Sequence, residues 1–407
     1  MVKSDMLYQL DLKLQELKEV EGIPFGGVSI LAFGDLLQLR PVLGSFPFEK
    51  PKNNEFHATF HLNNRWEMFK VLNLEKNHRQ GKDKAYADIL NRIRVGKMTE
   101  EDVLFLKQRV RSKDRPDLKD ISMYIVPTRK ACAVYNSAYL NSLEGEVITL
   151  NARHFNPTEK EFKPFIDAKE GTIGTTAFLD CLKLKIGAKI MIIHNIQTSD
   201  GLTNGQLGWL VDVIRTKTGD VDKLIVNLVN KNSGTENRKK FSNIANRYPN
   251  SVIIERVTLS YNLRKNGGSA GSNVTLLQFP VKLSHAITAH KVQGHTIEKP
   301  LRVAFDLKSV FEEAQGYVML SRVQEIGQVY IIDEFNSDKL YPSKKALREV
   351  GRMNSISYNE NPSVWCKKDI KALRIISLNC SGLQSHFKDI EVDEKISKAD
   401  IIHLGKL

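Results

Sequence analysis

Two short stretches concentrate side chains that could act on phosphates. Leu283 to Ile297, LSHAITAHKVQGHTI, begins apolar, as a buried strand end or helix does, then turns polar over Thr288, His290, Lys291, Gln293 and Gly294. Polar groups carried on a rigid apolar support can reach nucleic-acid phosphates. The same letters also fit a solvated helix C-terminus stopped by Gly294. Gly316 to Val323, GYVMLSRV, reads as a helix face of Tyr317, Val318 and Leu320 with one guanidinium, Arg322, near its end. Taken alone, that arginine is a surface charge. Asp35 closes the apolar run GGVSILAFGD, and carboxylates at the tips of parallel strands sit where α/β sheets do phosphate chemistry. It is either the metal-binding carboxylate of a nucleotide site or the cap of the next turn. Gln38 emerges from LLQLRPV just before Pro41, and LEKNHRQ reads as a strand delivering Arg79. Thr128 and Arg129 sit where a strand hands over to a helix, a natural place for a phosphate contact.

The elements that must hold these groups follow from periodicity. Met6, Leu7, Leu10, Leu14 and Leu17 recur at helical spacing, and Gly22-Ile23-Pro24 ends that helix. GGVSILAFGD predicts a buried parallel strand. Residues 44–64 read as loop, with Pro47 and Pro51 as punctuation. Residues 83–110 read as two helices broken at Gly96, the second capped by Thr99 and opened by acidic residues. The polar run Asp114 to Asp120 predicts a hinge. A strand over Tyr124 to Val126 followed by a helix starts a second α/β unit. Short β-rich runs with turn pairs at Asp200-Gly201 and Asn204-Gly205 then predict an all-β block, read as a small inserted barrel. LRVAFDL and GQVYIIDE supply further strands, and SKKALREVGRM a closing helix.

Composition narrows the partners. The 407 residues are too many for one ordinary core, so two or three domains are expected. A net charge of +13 suggests a polyanion, although a merely basic surface gives the same number. The four cysteines show no CxxC spacing, which argues against a zinc site or disulfide framework and for reduced intracellular thiols. No apolar run approaches bilayer length, and the charged start MVKSDMLYQLDLKLQ reads as neither signal peptide nor membrane anchor.

Taken in order, FGDLLQLRPV, LEKNHRQ, VPTRKACAVYN, LTNGQLGWLV, LSHAITAHKVQGHTI and YVMLSRV resemble the Pif-type 5′-to-3′ DNA helicases, RecD-like members of superfamily 1, over about residues 1–335. The resemblance implies an α/β fold of RecA-like lobes, of the P-loop NTPase type, with an inserted SH3-like β-barrel. It divides the chain into residues 1–120 (the C-terminal part of a first lobe), 121–195 with 283–350 (a second lobe), 196–282 (the insert) and 351–371 (a linker). It implies ATP with Mg²⁺ as cofactors, and single-stranded DNA and duplex/single-strand junctions as partners. It also implies an intracellular site of action, the nucleus or else the mitochondrion. Gln38 matches the glutamine that senses the γ-phosphate and attacking water. Arg79 and Arg322 match the arginines that reach the transferring phosphoryl group, where a preorganised cation is worth roughly 10³ to 10⁵ in rate. Asp35 and Gly294 fall in nucleotide-site motifs, Asp35 not as the principal magnesium carboxylate. Thr128, Arg129, Thr288, His290 and Lys291 fall in segments that contact the DNA backbone or couple it to the nucleotide.

The departures from the family pattern carry expectations of their own. No G-x-x-x-x-G-K-[ST] occurs in the 407 residues, and the family's magnesium-binding Asp-Glu pair is not matched. This suggests a chain that lacks its front and is inactive alone, with a non-catalytic single-strand-binding remnant as the alternative. Arg40 stands where the family usually has proline. In the tail, LRIISLNCSGL resembles the opening strand of the endonuclease/exonuclease/phosphatase family, with Asn379 as its metal-site candidate. Residues 372–407 thereby read as the truncated start of a nuclease-like domain, or as a disordered basic tail. A helicase followed by such a nuclease resembles the replicative proteins of Helentron-type transposons. Host repair, recombination, telomere maintenance and transposition all stay open.

Overall fold

The computed structural model describes residues 2–62, 64–74, 76–111, 121–156, 160–164, 177–263, 272–355, 375–379 and 401–405. The chain forms two compact units, one from residues 1–112, 293–299 and 307–407, the other from residues 113–292 and 300–306.

In the first unit, the helix Ser4–Leu17 buries Leu7, Leu10 and Leu14 against Phe25, with Trp66 and Phe69 alongside. Its polar face is anchored too. Asp11, fully buried, accepts from Arg65 Nε at 2.7 Å and from the Phe25 amide at 2.5 Å. The two helices expected around Gly96 are Lys84–Val95 and Glu100–Lys107. Gly96 takes the left-handed conformation (φ 70°) that ends the first, and Thr99 with Asp102 closes a capping box on the second. Trp66 Nε1 donates to Glu349 of the closing helix Lys344–Ser355, whose Ala346 and Leu347 pack on Leu37 and Phe46.

Several expectations here are corrected. The strand in GGVSILAFGD is only Ser29–Ala32, and it is largely exposed. It pairs on one side with Ile401–Gly405, and only Ile30 reaches the cluster under the first helix, which leaves Leu31 and Phe33 to solvent. Residues 44–64 are not all loop, because His57–Leu62 forms a short helix. Ile401–Gly405 pairs in parallel with Ile375–Asn379, so the described part of the tail extends the Ser29–Ala32 strand into a three-stranded sheet. Asn379 ends one of these strands; the rest of the nuclease-like reading lies outside the described residues, as does the Asp114–Asp120 hinge.

The second unit contains three parallel strands, with Met123–Val126 between Ala286–Thr288 and Val303–Phe305. Ile125 and Val126 are buried, as parallel central strands require. The helix Arg129–Ser142 follows directly, with Thr128 as its N-cap. Beyond it lies an antiparallel five-stranded sheet in the order Ser251–Glu255, Val221–Leu228, Leu207–Arg215, Lys189–Ile192, Val281–Leu283. Its core is Leu182, Leu184, Ile190, Ile192, Leu210, Leu224, Val226, Val252, Ile254 and Phe279. The expected β block is therefore present but not all-β: Thr235–Lys240 and Ser242–Ala245 are helical. Asp200, a buried carboxylate, accepts from the amides of Glu236 and Asn237 and fixes the first of them. Among the described residues no helix is long and apolar enough to cross a membrane.

Candidate functional site

Asp35, Gln38, Arg79, Gly294 and Arg322 all lie in the first unit, brought there by four separate segments. Asp35 follows the exposed strand in a tight turn. Its Oδ1 accepts from the Leu37 amide at 3.0 Å, and its carbonyl accepts from the Gln38 amide at 3.2 Å. The turn buries Leu37 and Leu39 and leaves Asp35 and Gln38 half-buried on the other side. Gln38 is held at both ends of its carboxamide: Nε2 donates to Asp35 Oδ2 at 3.3 Å, and Oε1 accepts from Gln293 Nε2 at 3.3 Å.

Arg79 does not come from a strand. Residues 76–80 are irregular, and their course is shaped by Asn77, whose Oδ1 accepts from the Gln80 amide at 3.0 Å. No strand partners this segment among the described residues, so side chains set its course. Arg79 Nε donates to Thr296 Oγ1 at 2.8 Å, and Nη1 donates to the Ser321 carbonyl at 3.0 Å. Next to it, buried Gln80 donates from Nε2 to the carbonyls of Ser321 (3.3 Å) and Val323 (2.5 Å), and Tyr86 Oη donates to the Leu320 carbonyl at 2.8 Å.

These carbonyls belong to the turn that presents Arg322. The helix Gln315–Leu320 ends one residue before Ser321, and Arg322 then turns inward. It is 2% exposed, which excludes the reading as a surface charge. Its Nη2 donates to Ser321 Oγ at 2.7 Å, while its Nε is buried without a hydrogen-bond partner among the described residues. The Arg322 carbonyl accepts from the Ile297 amide at 2.9 Å, which ties the turn to the segment carrying Gly294 and Thr296. Gly294 itself is exposed with φ +88°, a backbone conformation that favours glycine.

Electrostatically this is a cationic cluster. Both Arg79 and Arg322 engage Ser321, and among the described residues no carboxylate ion-pairs with either of them. Burial lowers Arg79, with nearby Tyr317 opposing. Burial, reinforced by repulsion from Arg79, lowers Arg322 to about 10. Tyr317 is raised by burial and then by Asp35. Two desolvated guanidinium groups, one with an unsatisfied donor, make a site for an anion. Asp35 is differently engaged: Arg94 holds both its oxygens, at 2.8 and 3.1 Å. Arg40 points to Glu312 at 3.5 Å and is exposed. Sequence reasoning missed Arg94, Thr296, Gln80 and Ser321. Only the last two neighbour residues it had singled out. No group of three His, Cys, Asp or Glu side chains among the described residues could hold a metal.

The nucleic-acid candidates lie in the second unit. Thr288 ends the Ala286–Thr288 strand, in register with Val126 at the end of its parallel neighbour. Thr128 follows two residues later, so both threonines sit at the carboxyl ends of parallel strands, where α/β sheets bind ligands. Thr128 Oγ1 accepts from the Ala131 amide at 3.1 Å, and Arg129 is exposed in the first helical turn. His290 and Lys291 sit on the single helical turn Ala289–Val292, and Lys291 Nζ donates to Asn204 Oδ1 at 2.7 Å.

The chain is similar to proteins already known. A family model described as PIF1-like helicase matches residues 1–103, and one described as DNA helicase Pif1, 2B domain, matches residues 178–213. The chain is 26% identical to the ATP-dependent DNA helicase PIF1 of Emericella nidulans, over 98% of this chain and 53% of the relative. The chain spans about half the length of the curated relatives it matches. Its fold is similar to the crystal structure of Pif1 helicase from Candida albicans (TM-score 0.65, 22% identity, 88% of this chain and 75% of that one). It is also similar to Pif1 helicase from Bacteroides in complex with ADP-AlF3 and single-stranded DNA (TM-score 0.60, 23% identity, 87% and 73%). The motif resemblance to Pif-type helicases therefore holds, and the fold is their mixed α/β, RecA-like fold.

Proposed function

We propose that this chain works as part of an ATP-dependent 5′-to-3′ DNA helicase, sensing the nucleotide's terminal phosphate in the first unit and tracking single-stranded DNA with the second. The carrying observation is the buried Arg322, with an unpaired Nε and a second guanidinium, Arg79, on the same serine. A bound nucleoside triphosphate supplies a phosphoryl group whose equatorial oxygens gain negative charge during transfer. Arg79 and Arg322 are preorganised donors for such charge, held by Thr296 and Ser321 without a competing carboxylate. Gln38, fixed from both ends, presents its carboxamide in one orientation. Magnesium would accompany the bound nucleotide and neutralise part of its phosphate charge.

On the nucleic-acid side, Thr128, Arg129, Thr288, His290 and Lys291 are assigned to the DNA backbone. What supports this is their place at the carboxyl ends of parallel strands, together with the net charge of +13. Single strands, their junctions with duplex, and an intracellular compartment containing DNA (nucleus or mitochondrion) complete the proposal.

The test is ATP hydrolysis with and without single-stranded DNA. It compares the 407-residue chain with any upstream extension its reading frame encodes. Expected are DNA-stimulated turnover in a form that binds nucleotide and its loss in Arg322→Ala. DNA binding with no turnover in any form would instead support a non-catalytic single-strand binder.

A further inference from the structure

We propose that Arg94 is a positioning residue for Gln38, acting through Asp35; the proposal rests on the nucleotide-sensing reading above. Arg94 is the penultimate residue of the Lys84–Val95 helix, and its guanidinium grips the carboxylate with both Nε (3.1 Å) and Nη2 (2.8 Å). The pair is only partly exposed, 32% for Arg94 and 19% for Asp35. Burial alone would lower Arg94, but the hydrogen bonds and charge of Asp35 outweigh it and raise the guanidinium above its ordinary value.

The consequence reaches Gln38. A carboxylate only accepts hydrogen bonds, so Asp35 Oδ2 obliges Gln38 to turn its Nε2 toward Asp35. Oε1 is then the atom facing Gln293 Nε2. Which end of the carboxamide meets a water or a phosphate is thus decided by Asp35, and Arg94 locks the Asp35 rotamer. The same helix is tied down at its other end by the arginine turn. Its N-cap Asp83 accepts from the Tyr86 amide and, through the other oxygen, from the Ile326 amide at 3.0 Å, and Tyr86 Oη reaches the Leu320 carbonyl. Lys84–Val95 therefore acts as a strut whose first turn braces the Arg322 turn and whose last turn braces Gln38. An ion pair serving only the fold would be worth little at this exposure. The positioning role makes a different prediction.

The experiment has a structural arm and a kinetic arm. In the 407-residue chain with ¹⁵N-labelled glutamine side chains, Arg94→Met should lower the order of the Gln38 amide. The Gln80 amide, bound to the Ser321 and Val323 carbonyls, should not change. An unchanged Gln38 amide overturns the proposal. In the form that hydrolyses ATP, Arg94→Met should lower kcat roughly tenfold to hundredfold, with KM for ATP nearly unchanged. Arg94→Lys, which keeps the charge but not the fork, should recover only part of that loss. In a Gln38→Ala background, Arg94→Met should do nothing further; an equal additional loss, or no loss in the parent, overturns the proposal. If no form hydrolyses ATP, the helicase reading fails, while the Gln38 amide still decides the Arg94 claim.

Discussion

Replacing Arg322 by methionine should leave the nucleotide-free protein as stable as the parent or more so, while abolishing its response to nucleotide. Burial and Arg79 lower the guanidinium from its ordinary value to about 10, which corresponds to about 3 kcal/mol of unfavourable charge burial at 1.36 kcal/mol per pH unit. Against this stands the bond from Nη2 to Ser321 Oγ, worth roughly 1.5–3 kcal/mol for a charged donor. Ser321 Oγ keeps its own donation to the Val318 carbonyl, so the substitution strands no partner. Methionine refills most of the volume. The net is between neutral and about 1–2 kcal/mol of stabilisation, read by urea unfolding at pH 7. The pH dependence has a definite sign. In the parent, Arg322 is charged in both states below about 10, and the full cost applies. From about 10 up to the ordinary arginine value the unfolded chain binds the extra proton, so stability rises with pH and the methionine variant's advantage shrinks. In the form that binds nucleotide, ATP should raise the parent's midpoint and leave the variant's unmoved. Destabilisation by more than about 2 kcal/mol would refute the reasoning, because it would make Arg322 an anchor of the fold and not a poised cation.

Other outcomes follow from single contacts. Arg65→Ala strands the buried Asp11 carboxylate and should cost about 3–5 kcal/mol in chemical unfolding, far more than a surface ion pair. Thr128→Ala removes the cap on the Arg129–Ser142 helix and should cost about 1 kcal/mol, with Thr128→Ser restoring it. A loss of single-strand affinity in Thr128→Ala that serine does not restore would separate a DNA contact from the cap. Lys291→Ala should weaken binding to single strands of any sequence and lower the salt slope by about 0.7, as one lost phosphate contact requires; an unchanged slope removes Lys291 from the interface.

Where the sequence was legible, one local rule sufficed. Gly96 and Thr99 announce a helix end and a helix start with no help from the rest of the chain, and both hold. Failures came where the deciding partner is distant. GGVSILAFGD has the composition of a central strand, but composition does not say what covers its faces, and Leu31 is exposed. LEKNHRQ has strand-like spacing, but among the described residues no strand pairs with residues 76–80, and Asn77 and Gln80 shape them through their side chains. The helices at Thr235 and Ser242 were hidden because the first depends on buried Asp200, more than thirty residues earlier, for its amide partners.

The site shows the same division. Gln38, Arg79 and Arg322 could be singled out because each sits in a motif whose order along the chain could be matched; their chemistry in isolation could not have marked them. Arg94 was illegible for a physical reason. On the Lys84–Val95 helix, Tyr86, Ile89, Leu90 and Ile93 form the buried face, and Arg94 falls beside it as an ordinary solvated cation. Its role exists only with Asp35, 59 residues away, and that residue reads as a turn cap by itself. The two arginines differ in what burial says about them. Arg94 is paired with a carboxylate and gains charge stability from it; Arg322 has no such ion pair among the described residues, and burial lowers it. A chain shaped for stability alone would have paired or replaced Arg322, since an apolar side chain of similar length fills the space at lower cost. The cation stays where a fold has no use for it, and that argues for a bound anion as the partner it is held ready to meet.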